Sequence, residues 1–484
     1  MQGETNMKKD RNTLWKLTSA LLVLSLAAGC ASDPAEPETE SQEASAETAG
    51  HGPGGTPPDK PDGEGGPGGP GGGAPGGSSS ADIDYKAAVE ITSADSRSDE
   101  SYTSSNADES ALLISTDEEV TITNPAVNKT GNSDGGDNCN FYGLNAAVLV
   151  KDGAAATIEG GTVTSSADGA NGIFSYGGNG GSNGAAGDGT TVIVRNTKIT
   201  TSGNGSGGIM TTGGGITYAY DLEVETGGTS SAAIRTDRGG EVYVYGGTYT
   251  SNGLGSPAIY STADVNAEDA VLVSNLSEGV CIEGKNSITL TDCDLTANNT
   301  QCNGNATFLD TIMIYQSMSG DADSGTSSFT MTGGSLTSKN GHMFHVTNTN
   351  AVITLSDVDL VNRDSEGILL SVCDDGWSGA DNIATLNAID QELEGIIKVG
   401  DNSTLTLTLS EGSSFTGSID GAITNAKGTS VSSDVGTVNV TIDSSSTWTL
   451  TADTYITSFS GSASSIISNG YTLYINGTAL TGTK

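Results

Sequence analysis

Four groups of residues in this chain have types and spacing suited to chemistry. Asp269 and Asp292 stand 23 residues apart with Glu268 and Asp294 beside them. Carboxylate oxygens are ligands for hard cations, so this pair would suit calcium. Lyase chemistry on an acidic sugar would also need a neighbouring base, and the candidates Arg195, Arg235, Arg238 and Arg363 fall away from the acidic pair. The stretch "CDDGW" offers Asp374 and Asp375, although an Asp-Asp-Gly run is more commonly a turn. His342 and His345 are three apart, which on a strand predicts opposite faces. Finally, "TYAYDLEVET" and "EVYVYGGTYTS" set Tyr218, Tyr220, Tyr243 and Tyr245 alternately with Ala219 and Val244. In a strand that alternation turns the small aliphatics to one side and all four phenol rings to the other.

The elements that hold these residues repeat. From residue 111 onward a strand-type word recurs: an apolar residue, an outward residue, then Gly, Asn or Asp, two more residues, and a second apolar residue five after the first. Its nine instances are Ile122/Val127, Ile158/Val163, Val194/Ile199, Ala219/Val224, Val244/Tyr249, Ala267/Leu272, Leu290/Leu295, Met331/Leu336 and Leu355/Leu360. The middle position is Asn124, Gly160, Asn196, Asp221, Gly246, Asp269, Asp292, Gly333 and Asp357. These residue types tolerate left-handed backbone, so the word reads strand, corner, strand, and corner formation alone accounts for Asp269 and Asp292. A second word, anchored by Ile173, Ile209, Ile234, Ile259, Val280, Ile368 and Ile396, lies between copies of the first. Its outward residues, Phe174, Met210, Arg235, Tyr260 and Cys281, are expected to be buried rather than to bind. Three short strands per repeat of about 24 residues cannot close a core alone, but stacked repeats can.

This rhythm resembles the right-handed parallel β-helix of pectate-lyase-like and adhesin-like surface proteins, over residues 85 to 484. The resemblance implies an all-β solenoid of about a dozen rungs, roughly 55 to 60 Å long at one strand spacing per rung. A β-sandwich array, the alternative, would show hairpin turns at shorter spacing and no fixed five-residue word. Aligning the words stacks Tyr218 on Tyr243 and Tyr220 on Tyr245, with Arg195 and Glu268 in line at the two ends. Longer gaps carry "NKTGNSDGGDNCNFYGLN", "GGNGGSNGAAGDGT" and "TANNTQCNGNATFLDT", loops on which function or drift can sit. Residues 401 to 484 alternate with period two and read as last rungs and a C-terminal cap, with Trp448 as its expected plug. Within the same class, Asp374 and Asp375 resemble the paired aspartates of polygalacturonase-like glycosidases, but the companion histidine signature is incomplete: Gly341, His342 and Met343 lack its second glycine.

The first 29 residues are set apart. Lys8, Lys9, Arg11 and Lys16 precede the apolar run "LTSALLVLSLAAGC", a secretory leader too short to span a bilayer. Its end, "LAAGC", resembles a bacterial lipobox, with Ala27 where that motif prefers leucine. The resemblance implies lipidation of Cys30 and a place on the extracellular face of the bacterial cell membrane; an ordinary signal peptide is the alternative. Residues 30 to 80, rich in Pro, Gly and acids, lack the apolar residues to offset ordering and read as a tether ahead of a β-helix spanning 81 to 400. The chain carries 59 acids and 19 bases, a net charge of -40. Removing residues 1 to 29 takes away four bases and two acids, leaving 57 acids against 15 bases. Such a surface repels nucleic acid and anionic membranes and favours cations or neutral partners. Past Cys30 an odd five cysteines remain, without metal-type spacing, and read as small buried residues or at most one or two disulfides.

The function these features suggest is a lipid-anchored surface protein that binds polysaccharide through its flank or loops, with no catalytic residue assigned. The alternatives are a calcium-dependent polysaccharide lyase or a glycoside hydrolase, and a stalk or adhesin with a protein partner.

Overall fold

The computed structural model describes residues 83 to 484, apart from 180 to 185, 319 to 321 and 378. The leader, Cys30 and the tether lie outside the described residues. Within them the chain is a right-handed parallel β-helix. Three long parallel sheets of 15, 14 and 10 strands run side by side, each strand pairing with its equivalents in the preceding and following turns. Fifteen strands at about 4.8 Å make a rod of roughly 67 Å, longer than the repeat word alone implies. The extra length is N-terminal in part: Asp95–Ser98 and Ser101–Ser104 form a rung around Asp99, where Arg97 occupies the apolar first position.

All nine middle positions of the word have positive φ, from 49° at Asn196 to 70° at Gly246. The corner is therefore set by backbone conformation, which Gly, Asn and Asp reach at least cost. The flanking aliphatics fill the core: Val192, Val194, Ala219, Val242, Val244, Val265, Ala267, Ile288 and Leu290 are all buried. At another corner the turns approach more closely than a Cβ allows. A Cβ on Gly203, Gly228 or Gly253 would lie 1.9, 1.8 and 1.8 Å from the carbonyl oxygens of Ala167, Gly203 and Gly228 respectively. Serines lock the same stack. Ser231 Oγ donates to Gly203 O (3.1 Å) and accepts from Ser206 N (2.9 Å), and Ser256 Oγ donates to Gly228 O (2.9 Å) and accepts from Ser231 N (2.9 Å).

The cross-section changes along the rod. The ten-stranded sheet ends at Asp359–Asn362. Beyond it each turn is built from two longer strands, Asn382–Ile389 with Glu392–Val399 and then Ser403–Ser410 with Ser414–Asp420, which join the other two sheets. Trp448 does not plug the end. It is a core residue stacked on Phe415 at 5.4 Å, its Nε1 donates to Gly417 O (3.0 Å), and its strand is followed by Ile466–Ile467. The end is closed by Thr454–Ile456, Leu473–Ile475 and Thr478–Ala479, which form a small separate sheet.

Candidate functional site

The four tyrosines lie on the outer face of the fourteen-stranded sheet, on strands Ile216–Tyr220 and Glu241–Tyr245. Register pairs Tyr218 with Tyr243 and Tyr220 with Tyr245. The rings stack with centroids 5.1 and 4.9 Å apart, each pair inclined by 15°. Arg195, one rung earlier, places its guanidinium 3.9 Å over the Tyr220 ring. On the other side Asn266 follows Tyr243 and Glu268 follows Tyr245. The rings therefore stack along the rod rather than lying flat on it. Both faces of Tyr220 are covered, and the strip presents ring edges and hydroxyls outward. The faces of Tyr243 and Tyr245 turned toward the next rung meet Asn266 and Glu268, not another ring. Tyr243 Oη donates to the Glu241 carboxylate at 2.6 Å, and this bond, with partial burial, pushes the phenol up to about 12. Tyr245 is 37 % exposed.

Asp269 and Asp292 occupy successive corners with φ of 55° and 50°. A Cβ on Gly333 would lie 2.2 Å from Asp292 Oδ1, so this carboxylate lies under the next corner. Asp294 Oδ1 accepts from Ser335 Oγ (2.6 Å). Among the described residues no group of three or more His, Cys, Asp or Glu side chains is placed to hold a metal ion. Cys139, Cys281, Cys293, Cys302 and Cys373 are free, and all but the half-buried Cys302 are buried.

A second region was not visible in the sequence as a region. The outer face of the fifteen-stranded sheet is covered by loops, so its strands are buried on both sides: Phe174, Met210, Tyr260, Cys281, Met313 and His345 are at most 3 % exposed. The loop after Lys129 brings Phe141 beneath the Arg238 guanidinium at 3.8 Å and receives a hydrogen bond from Thr212 Oγ1 at its Phe141 carbonyl (2.7 Å). The loop after Ala297 lays Phe308 over His345 at 4.6 Å, and the loop after Val372 sets Trp377 against Tyr315 at 5.1 Å.

Beneath this cover sit polar groups from distant segments. His342 and His345 do not take opposite faces: each places Nδ1 2.7 Å from Ser371 Oγ. Met343 and Phe344 are both in the core, so strict alternation breaks between the two histidines. Burial, then His345, drives the His342 imidazole down to about 3. His345 Nε2 is 3.5 Å from Asp375 Oδ2, while Asp375 Oδ1 accepts from Thr307 N (2.7 Å) and from its hydroxyl. Asp374 instead is exposed and accepts from Gly376 N (3.2 Å), a turn in which Gly376 has φ of 71°. The two aspartates of "CDDGW" thus diverge. No family model matches the chain, and no curated protein or solved structure matches it either, so the residues themselves carry the functional reading.

Proposed function

We propose that the chain is a lipid-anchored cell-surface β-helix that binds carbohydrate without cleaving it, through the strip formed by Tyr218, Tyr220, Tyr243 and Tyr245. The observation that supports this reading is the in-register stacking of the four rings on a partly exposed flank, where Tyr245 is the most open. Register fixes their spacing, and the Arg195 guanidinium fixes one end, so little side-chain entropy is left to lose on binding. Ring edges, phenol hydroxyls and the neighbouring Asn266 and Glu268 supply apolar and hydrogen-bonding contacts together, as a sugar requires. Binding is preferred to lyase chemistry because the backbone conformation at Asp269 and Asp292 is reason enough for aspartates there. A glycan array probed with the purified chain, run with and without calcium, tests it. Retention of a glycan without release of shortened or unsaturated sugar is the expected result. Turnover would select the enzyme reading, and no retained glycan would leave the protein-binding stalk.

The anchor makes its own prediction. Cys30→Ser should abolish lipidation and send the chain to the medium or leave it unprocessed, because stable membrane hold needs two acyl chains. Fractionation of cells after a high-salt wash checks this; a variant retained at the parent level would overturn the lipid-anchored placement.

A further inference from the structure

Under the cover of the fifteen-stranded sheet, three buried carboxylates from three segments lie close enough for their charges to act on one another. Glu278 and Asp310 lie on adjacent turns, two residues before the paired Val280 and Ile312, and Gly279 N bonds Thr311 O (2.8 Å) between them. Asp375 comes from the loop after Val372. All three are nearly inaccessible, at 2, 0 and 1 % exposure. Among the described residues neither carboxyl oxygen of Asp310 has a hydrogen-bond partner, and Asp375 Oδ2 has none. An unpaired carboxylate in such a place costs several kcal/mol or takes up a proton. Glu278 accepts a hydrogen bond from Ser277 Oγ and another from the Asn299 side chain, which partly offset its burial; the titratable groups around the three are few. Cys281 faces from their own sheet, and His345 and the neutral His342 from the next strand; Cys302 and Cys373 lie in the covering loops. Farther out, Lys427 approaches Cys302, and Asp364 and Lys398 approach His342. His345 offers at most one positive charge against three carboxylates.

We propose that Glu278, Asp310 and Asp375 form a proton-held latch: a proton kept among them lets the segments 298–309 and 373–377 pack on the sheet, and its loss separates the carboxylates and loosens that cover. The hydrogen bonds from Thr307 to Asp375 tie the two segments to each other, so both would open together. Burial, with the charges of Glu278 and Asp375, holds the Asp310 carboxyl well above the usual range, and burial raises Glu278 too. The folded chain therefore binds these protons more tightly than the unfolded chain, and stability falls as pH rises from the ordinary carboxyl range toward the raised values. His342 acts with the opposite sign: its lowered imidazole costs stability as pH drops through the ordinary imidazole range, so in a rising pH series it can only add stability and cannot produce the expected fall.

Thermal melts and cysteine labelling of the full chain between pH 6.5 and 8.0 provide the test. The melting temperature should fall over this window, and maleimide labelling of Cys281 and Cys373, resolved by mass spectrometry, should rise relative to Cys293, a buried thiol at a remote corner that serves as internal reference. Asp310→Asn, which mimics the protonated acid, should flatten both trends, and Glu278→Gln should reduce them if the first variant does not fold. A constant labelling ratio in the unmodified chain would overturn the latch, as would variants with the parent's pH slope. So would loss of the cover on adding EDTA at pH 6.5, since a cation rather than a proton would then be holding it.

Discussion

Val244→Asp should lower the melting temperature far below that of the parent. Val244 is 1 % exposed, on a strand whose neighbours place Ala219 and Ala267 against it. A carboxylate there has no partner, and the stacked turns leave no route for it to reach water without breaking the backbone ladder on both sides. The expected cost is on the order of 3 to 5 kcal/mol. Neutralising the new acid is the cheaper escape, so the deficit should shrink between pH 7 and pH 4, because an acid whose folded pKa is raised loses its penalty as pH falls. Thermal melts at both pH values check this. An unchanged melting temperature would mean that Val244 is not in the core.

Gly228→Ala should be nearly as damaging, for a steric reason. The new Cβ would lie 1.8 Å from Gly203 O and 2.4 Å from Gly203 C, which are backbone atoms of the previous turn and cannot swing aside. Relief requires the turns to separate where Ser231 and Ser256 bridge them, so packing and hydrogen bonds are lost together. About 3 kcal/mol or more is expected. Gly205→Ala is the comparison: φ is 62° but nothing lies within 4 Å of the added methyl, so only the backbone penalty of about 1 to 2 kcal/mol applies. Denaturant melts of the two variants should rank Gly228→Ala as the less stable; equal losses would mean that the close approach of turns is not limiting.

Much of this architecture is legible in the sequence, because stacking makes one local rule repeat. Nine corners were marked by Asn, Asp or Gly five-residue words, and each has the positive φ such residues favour. The tyrosine register followed from the same alignment. Three features were not legible. The first rung carries Arg97 and not an aliphatic at the marker position, so a rule based on apolar residues begins one turn too late. Register fixes which rings stack but not how they tilt, so the sequence could not show that Arg195 and Tyr245 would enclose Tyr220. The buried cluster joins Glu278, Asp310, His345 and Asp375, which are scattered over nearly a hundred residues and become neighbours only because two loops fold back over the sheet. His345 and Asp375 stand out in the sequence separately, in the histidine pair and in "CDDGW", but nothing there makes them neighbours or marks Glu278 and Asp310; the one hint of the cover is the long gap "TANNTQCNGNATFLDT" that carries Phe308.

Replacing Tyr220 and Tyr245 together by alanine separates a tyrosine strip that binds from a ladder that only steadies two turns. The backbone pairing and the inward Ala219 and Val244 remain in that variant, so only outward cross-strand contacts of about 0.2 to 1 kcal/mol per pair should be lost from the fold. Aromatic anchors commonly dominate the contacts they make, and a binding site missing two of them should lose affinity by tenfold or more, about 1.4 kcal/mol. The measurement is affinity for the tightest array glycan beside melting temperature, in parent and double variant. Affinity should fall steeply with the melting temperature nearly held; affinity retained while the melting temperature drops would make the strip a structural ladder and not a binding surface.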